Sequence, residues 1–98
     1  MNLDQRVYKK LLEVPKGRVT TYSELAKAIG LKNGQRAIGR IMNKNPFPVI
    51  IPCHRVILSD GNIGGYAWGE NVKRFMLSAE GIKIKEGKIL DKDIIFRF

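Results

Sequence analysis

The feature that most restricts the fold is "NPFPVIIPCHR", residues 45–55, in which three prolines fall within seven positions. A proline ring fixes its own φ, removes a backbone donor and pushes the preceding residue out of the helical region. No helix can run through this stretch. It reads as a stiff extended linker, a rigid lead into the only cysteine of the chain, Cys53, its only histidine, His54, and then Arg55.

Ahead of the prolines the pattern is helical. In "LDQRVYKKLLEV", Leu3, Val7, Leu11 and Val14 recur at spacings of four, four and three, the period of an amphipathic helix with Asn2 or Asp4 near its start. "TYSE" at 21–24 fits a capping box, with the Thr21 side chain accepting from the Glu24 amide and Glu24 reaching back. It predicts a short helix from Tyr22 to Ile29, stopped by Gly30. Asn33 is placed to cap a third helix, "GQRAIGRIMNK", with Ala37, Ile38, Ile41 and Met42 on one face and Arg36 and Arg40 on another. Two short helices joined by a turn holding Gly30 and Gly34 make a helix-turn-helix candidate, a weak pattern by itself.

Behind the prolines, "SDGNIGGYAWG" reads as a loop whose backbone can approach a ligand closely. "ENVKRFMLSAEG" reads as a helix with Val72, Phe75, Met76 and Ala79 on one face, ending at Gly81. "IKIKEGKIL" alternates apolar and polar residues about Glu86-Gly87, the pattern of a small hairpin. Residues 1–98 are expected to form one domain.

Charge is unevenly spread. Residues 1–58 carry eleven Lys/Arg against three acids, +8, and residues 59–98 carry seven against six, +1, which together make the net +9. A polyanionic partner is therefore sought on the first sixty residues. No apolar run approaches the ~20 residues of a membrane span, so a cytoplasmic, nucleoid-associated protein is expected. A single cysteine excludes an internal disulfide, and with one histidine it supplies too few ligands for a structural zinc site. No metal or other cofactor is expected.

Cys53 is thus a free thiol, and such thiols are often buried and inert. A cysteine reacts as the thiolate, which a nearby imidazole, a cation or helix N-terminal amides favour. His54 and Arg55 supply candidates, but neighbours on a strand face opposite ways, so contact requires a turn at Pro52-Cys53. At this level His54 as a core histidine and Arg55 as a salt-bridge partner remain open. So do Arg36 and Arg40 as solvated helix residues, Tyr22 as packing and Trp68 as a core anchor.

Taken together, "TTYSELA", "QRAIGRIM", "NPFPVIIP", "IPCHRVI", "GNIGGYAWG" and "LSAEG" occur in one order and spacing over residues 5 to 82. In these motifs the chain resembles the catalytic domain of the O6-alkylguanine-DNA alkyltransferases. The resemblance implies an α+β, mostly helical fold: a winged helix-turn-helix-like DNA-binding domain with a short C-terminal hairpin. It implies a monomer that binds double-stranded DNA containing O6-alkylguanine through the minor groove and flips the base into a pocket. Cys53 would take the alkyl group in one irreversible step, with His54 as base through a water, Glu80 orienting the imidazole and Tyr22 donating to the guanine ring. Arg36 would fill the space of the extruded base, with Ala37, Ile38, Gly39 and Arg40 along the DNA. Asn45, Met42, Val56, Tyr66, Ala67 and Trp68 would line the substrate pocket, Asn45 also bracing the segment before Cys53, and Arg55 would be structural.

The departures are specific. The N-terminal domain usual in the family does not appear, so a minimal transferase or part of a longer or fused protein is expected. Alkyltransferase-like proteins are similarly short but replace the cysteine, and Cys53 argues against that class. Trp68 stands where some members have glycine, and Ala67 where some have serine. A lesion sensor or helix-turn-helix regulator without transfer is the rival expectation, and a cysteine hydrolase fits the basic face poorly.

Overall fold

A computed structural model describes all residues from Met1 to Phe98. In chain order it contains α1 (Leu3–Leu11), β1 (Thr20–Thr21), α2 (Tyr22–Ala28), α3 (Gln35–Asn43), a 3-10 turn (Cys53–Arg55) and β2 (Val56–Ile57). These are followed by α4 (Glu70–Ala79), β3 (Ile84–Lys85), β4 (Lys88–Ile89) and a second 3-10 turn (Lys92–Ile94). The mostly helical α+β class is as read from the sequence. No helix is long and apolar enough to cross a membrane.

The front half is a three-helix cluster. Asn2 caps α1 in a reciprocal box with Gln5, and α1 buries Val7 and Leu11. Thr21 caps α2 by accepting from the Glu24 amide at 3.0 Å. Glu24 does not complete the box as expected: its carboxylate is drawn instead to Lys27 at 3.3 Å and to Arg97 at 3.2 Å. Nor does Asn33 cap α3. Asn33 sits at φ 54 in the left-handed region, and Gly34 takes the cap position without any side-chain bond. Gly34 is set by contact: a Cβ there would lie 2.7 Å from Leu31 Cβ and 3.2 Å from Ala26 Cβ, so only glycine lets α2 and α3 approach this closely. The buried face of α3 is Ile38, Ile41 and Met42. Ile38 is fully buried and therefore unavailable to a groove, and Ala37 is only half-buried.

The proline stretch is not an extended linker. Ile51 N–H donates to Phe47 C=O at 2.8 Å, Val49 lies at φ 78, and Pro48 bridges Ile51, so the chain doubles back in a tight turn. Asn45 clamps both ends: its Nδ2 donates to Ile51 C=O at 2.8 Å and its Oδ1 accepts from Phe47 N–H at 2.9 Å. Proline geometry sets each residue but not the sign of φ at Val49 between them.

β1 and β2 pair in parallel, Thr20 with Val56 and Thr21 with Ile57. Successive strand residues face opposite ways, so Val56 enters the apolar cluster of the three helices while Ile57 enters a second cluster with Val19, Ile63, Leu77, Ile82, Ile89 and Ile95. The hairpin forms as expected, β3 antiparallel to β4, with Glu86 and Gly87 both at positive φ. The face of α4 differs from expectation. Lys73 and Leu77 are its buried residues, whereas Phe75 is 74% exposed and Val72 and Ala79 also face solvent. Hydrophobicity alone chose the wrong stripe because a buried lysine occupies the core side.

Candidate active site

Pro52 ends the turn and caps the 3-10 helix Cys53–Arg55, the change of direction that a Cys53–His54 site required. Cys53 and His54 are both buried. Glu80 reaches them from the far half of the molecule because α4 ends in a Schellman motif. Gly81 N–H donates to Ser78 C=O and Ile82 N–H to Leu77 C=O, with Gly81 at φ 90. The stop signal "AEG" thereby fixes Glu80 at the C-cap of α4.

Glu80 Oε2 lies 2.8 Å from His54 Nε2 and 2.8 Å from Arg55 Nη2, while Arg55 Nε donates to Oε1 at 3.0 Å and Arg55 Nη1 donates to Val14 C=O at 2.9 Å. Arg55 is thus a staple between the end of α4 and the loop after α1. Burial alone would raise the Glu80 carboxyl, but hydrogen bonds from Arg55 and His54 outweigh it and hold the group below the usual range. Burial lowers the His54 imidazole despite the opposing pull of Glu80, so the ring is neutral near pH 7. An ionised Glu80 can only accept, which places the imidazole proton on Nε2 and leaves Nδ1 as a bare acceptor.

Two buried side-chain polar atoms lack a protein partner, His54 Nδ1 and Tyr66 Oη. Both belong to residues at Cys53. Burial, then the Cys53 sulfur beside it, pushes the Tyr66 phenol up to about 12. Burial and then Cys53 also raise Tyr22, the first residue of α2. Native proteins pair nearly all such buried atoms, and both of these belong to residues packed around the one thiol.

The largest cavity, about 520 Å³, is lined by Tyr22, Ser23, Gln35, Arg36 and Gly39 on one side and by Leu58, Ser59 and Asp60 on the other. It brings together Tyr22, Arg36 and Gly39, whereas Ala37 and Arg40 lie outside it. Cys53 lines none of the cavities. Tyr66 packs over the cluster that contains Cys53, and Tyr66 meets Trp68 edge-on at 5.8 Å. Trp68 is 54% exposed and so is no core anchor; Ala67 is exposed as well. Met42 and Val56 are buried in the same cluster as Cys53.

The sequence reading missed Lys73. Its Nζ donates to Val56 C=O at 2.7 Å and to Gly65 C=O at 3.0 Å, and burial brings it down to about 8. The only signal in the sequence was a lysine on the line through Leu77 and Glu80, the side of α4 that carries the expected orienter.

Two short helices, α2 and α3, thus border a groove, and behind them a buried free thiol is followed in sequence by a neutral imidazole held by an ionised carboxylate. The chain belongs to the family of the 6-O-methylguanine DNA methyltransferase DNA-binding domain, whose model matches residues 2–82. It is 41% identical over 93 residues to the methylated-DNA–protein-cysteine methyltransferase of Candida glabrata, which covers 94% of this chain and 45% of the relative. It is similar in structure to Mycobacterium tuberculosis OGT in complex with DNA, at TM-score 0.80 and 42% identity over 83% of this chain and 49% of that one. S. pombe Atl1, in complex with damaged DNA containing O6-carboxymethylguanine, matches with TM-score 0.84 and 29% identity over 100% of both chains. The chain spans about half the length of the curated relatives it matches.

Proposed function

We propose that the chain repairs DNA by transferring an alkyl group from O6-alkylguanine to Cys53, one lesion per molecule. The observation that carries this reading is the bare His54 Nδ1, on the residue next to Cys53 in the same 3-10 turn, with Nε2 held by Glu80. Cys53 as nucleophile, His54 as base and Glu80 as orienter are the parts that catalysis by a thiol uses. His54 takes the thiol proton, directly or through a water, and Sγ attacks the alkyl carbon. The S–C bond forms as the C–O6 bond breaks, the electron pair stays on the guanine, and a ring nitrogen takes a proton from the Tyr22 hydroxyl, which is restored from solvent as His54 releases the thiol proton to solvent. The product thioether has no leaving group that water could displace under mild conditions, so the step ends the life of the protein as a catalyst.

On the DNA side, Arg36 enters the stack in place of the flipped base, and Gly39 lets α3 lie close to the minor groove. Flipping costs only a few kcal/mol, least for a weakly paired lesion. Asn45 holds the turn before Cys53, Arg55 holds Glu80, and Tyr66, Ala67 and Trp68 enclose the base, with Met42 and Val56 packed behind Cys53.

Intact mass after mixing with duplex DNA containing O6-methylguanine tests the reading. The expected result is a gain of one methylene on Cys53, lost in Cys53→Ser with DNA binding retained. Arg36→Ala should slow transfer from duplex DNA; equal transfer would reject its role. Repeated turnover would sink the stoichiometric mechanism. The full-length match to Atl1 favours a second reading, lesion binding without transfer, for which the mass stays unchanged while DNA is bound.

A further inference from the structure

We infer that Lys73 is a positioning residue for the reaction, a latch that holds the loop of Tyr66 and Trp68 closed over Cys53. The inference rests on the proposed transfer for its functional part and on geometry for the rest. Lys73 is completely buried on α4, and its ammonium has no carboxylate within ion-pair distance. Its partners are two backbone carbonyls from different segments. Val56 follows the Cys53–Arg55 turn directly, and Gly65 immediately precedes Tyr66. One side chain therefore ties the wall that carries the thiol to the loop that covers it.

A buried ammonium with only neutral partners is costly, and a core methionine or leucine would fill the space without that cost. The charged groups that act on Lys73 are Cys53 and Glu70, both of which favour its protonated form, while Lys73 in turn disfavours a charge on His54. An ammonium on this spot adds, after burial, to the influences that hold the imidazole neutral. It also strengthens both bonds to the carbonyls, since charge-assisted hydrogen bonds are about twice as strong as neutral ones. The loop it anchors has little else to hold it. Between Gly64 and Gly69 the residues are half-buried or exposed, and Tyr66 Oη has no partner.

Lys73→Met removes the latch while filling the space. Cys53 and Trp68 are the only residues of their kinds, so both report on the loop without ambiguity. In a variant with native circular dichroism, carboxamidomethylation of Cys53 by iodoacetamide is expected to speed up at least fivefold. Acrylamide quenching of Trp68 should rise, and methyl transfer from O6-methylguanine DNA should slow at least tenfold with DNA affinity within twofold of the parent. Opposite changes in the two reactions of one thiol are not produced by a structural defect alone. If Lys73→Met does not fold, Lys73→Gln, which keeps a neutral donor, is expected to move the same quantities the same way to a smaller extent. Unchanged iodoacetamide and quenching rates in a folded variant overturn the latch. A parent protein that fails to transfer at all defeats the proposed function instead, while iodoacetamide and quenching rates still decide, independently of transfer, whether Lys73 holds the loop.

Discussion

The two apolar clusters of the molecule are built differently. The first, with Val7, Leu11, Leu25, Ile38 and Ile41, is made by helices whose burial follows their own periodicity, and it carries most of the positive charge. The second, with Val19, Ile57, Ile63, Leu77, Ile82, Ile89 and Ile95, collects residues from two-residue strands, turns and one helix. The proposed reaction centre lies on the seam between them. Cys53 and Val56 belong to the first cluster, and Glu80 is supplied from the end of a helix whose Leu77 belongs to the second. Affinity for a polyanion can therefore be built within one half, whereas the proposed chemistry needs both halves in register.

The largest effect should come from cutting the seam. Glu80→Ala leaves Arg55 and His54 facing each other without their shared carboxylate, and such a loss costs about 3–5 kcal/mol. Glu24→Ala, in the first half, breaks pairs to Arg97 and Lys27 whose side chains are 67% and 77% exposed, so it should cost less than about 1 kcal/mol. Urea unfolding of both variants measures the difference; equal losses would mean that Arg55 and Glu80 do not hold the halves together.

Next in size is the face of α4. Leu77→Ala should cost about 3 kcal/mol by leaving a cavity in the second cluster, while Phe75→Ala should stay within about 0.5 kcal/mol. A large loss at Phe75 would restore the stripe that hydrophobicity alone suggested.

That stripe shows where the sequence was legible and where it was not. α1 and α2 could be read from spacing and capping, and α3 from spacing alone, because their buried faces are apolar and the turn between α2 and α3 carries Gly30 and Gly34. Glu80 could be placed because a glycine stop fixes its position. The α4 face, the tight turn at Val49 and the role of Lys73 could not be read, because each depends on contacts across the seam. A lysine becomes a core residue only when two carbonyls from elsewhere converge on it, and no local pattern contains that information. The roles given to Arg36, Ala37, Gly39 and Arg40 rest on resemblance; the fold itself brings Arg36 and Gly39 to one groove with Tyr22.

Stability against pH separates the halves again. His54 lies below the ordinary histidine value of 6.5, so as pH falls through that value the unfolded chain gains a proton first and stability drops. The Glu80 carboxyl, held below its usual 4.5, contributes stability above that value and loses it as pH falls through the folded one. Both push the same way, so acid should weaken the seam. On the alkaline side Lys73 titrates near 8 in the fold against 10.5 in the open chain. Between those values the unfolded state holds the extra proton, and stability should rise by roughly 3 kcal/mol, less what solvent screening removes. Tyr66, pushed up to about 12 from 10.0, opposes the rise only above pH 10. Lys73→Met should flatten the slope between pH 8 and 10; a slope that survives the substitution belongs to another group.

The last predicted effect is a gain. Val49 is β-branched and holds φ 78, a conformation that costs such a residue about 1–3 kcal/mol. Val49→Gly removes that strain and gives back about 0.5–1 kcal/mol through the freer unfolded chain. The side chain is 53% exposed, so little burial is lost, and the net change should be about 1 kcal/mol of added stability. A higher urea midpoint at unchanged slope is the expected signature. Asn45 still grips Ile51 and Phe47 from both ends, so the Cys53 turn should keep its place and the rate of methyl transfer should hold. A more stable but slower variant would mean that Val49 shapes the approach to the thiol, and a less stable one that its side chain packs more than its exposure suggests.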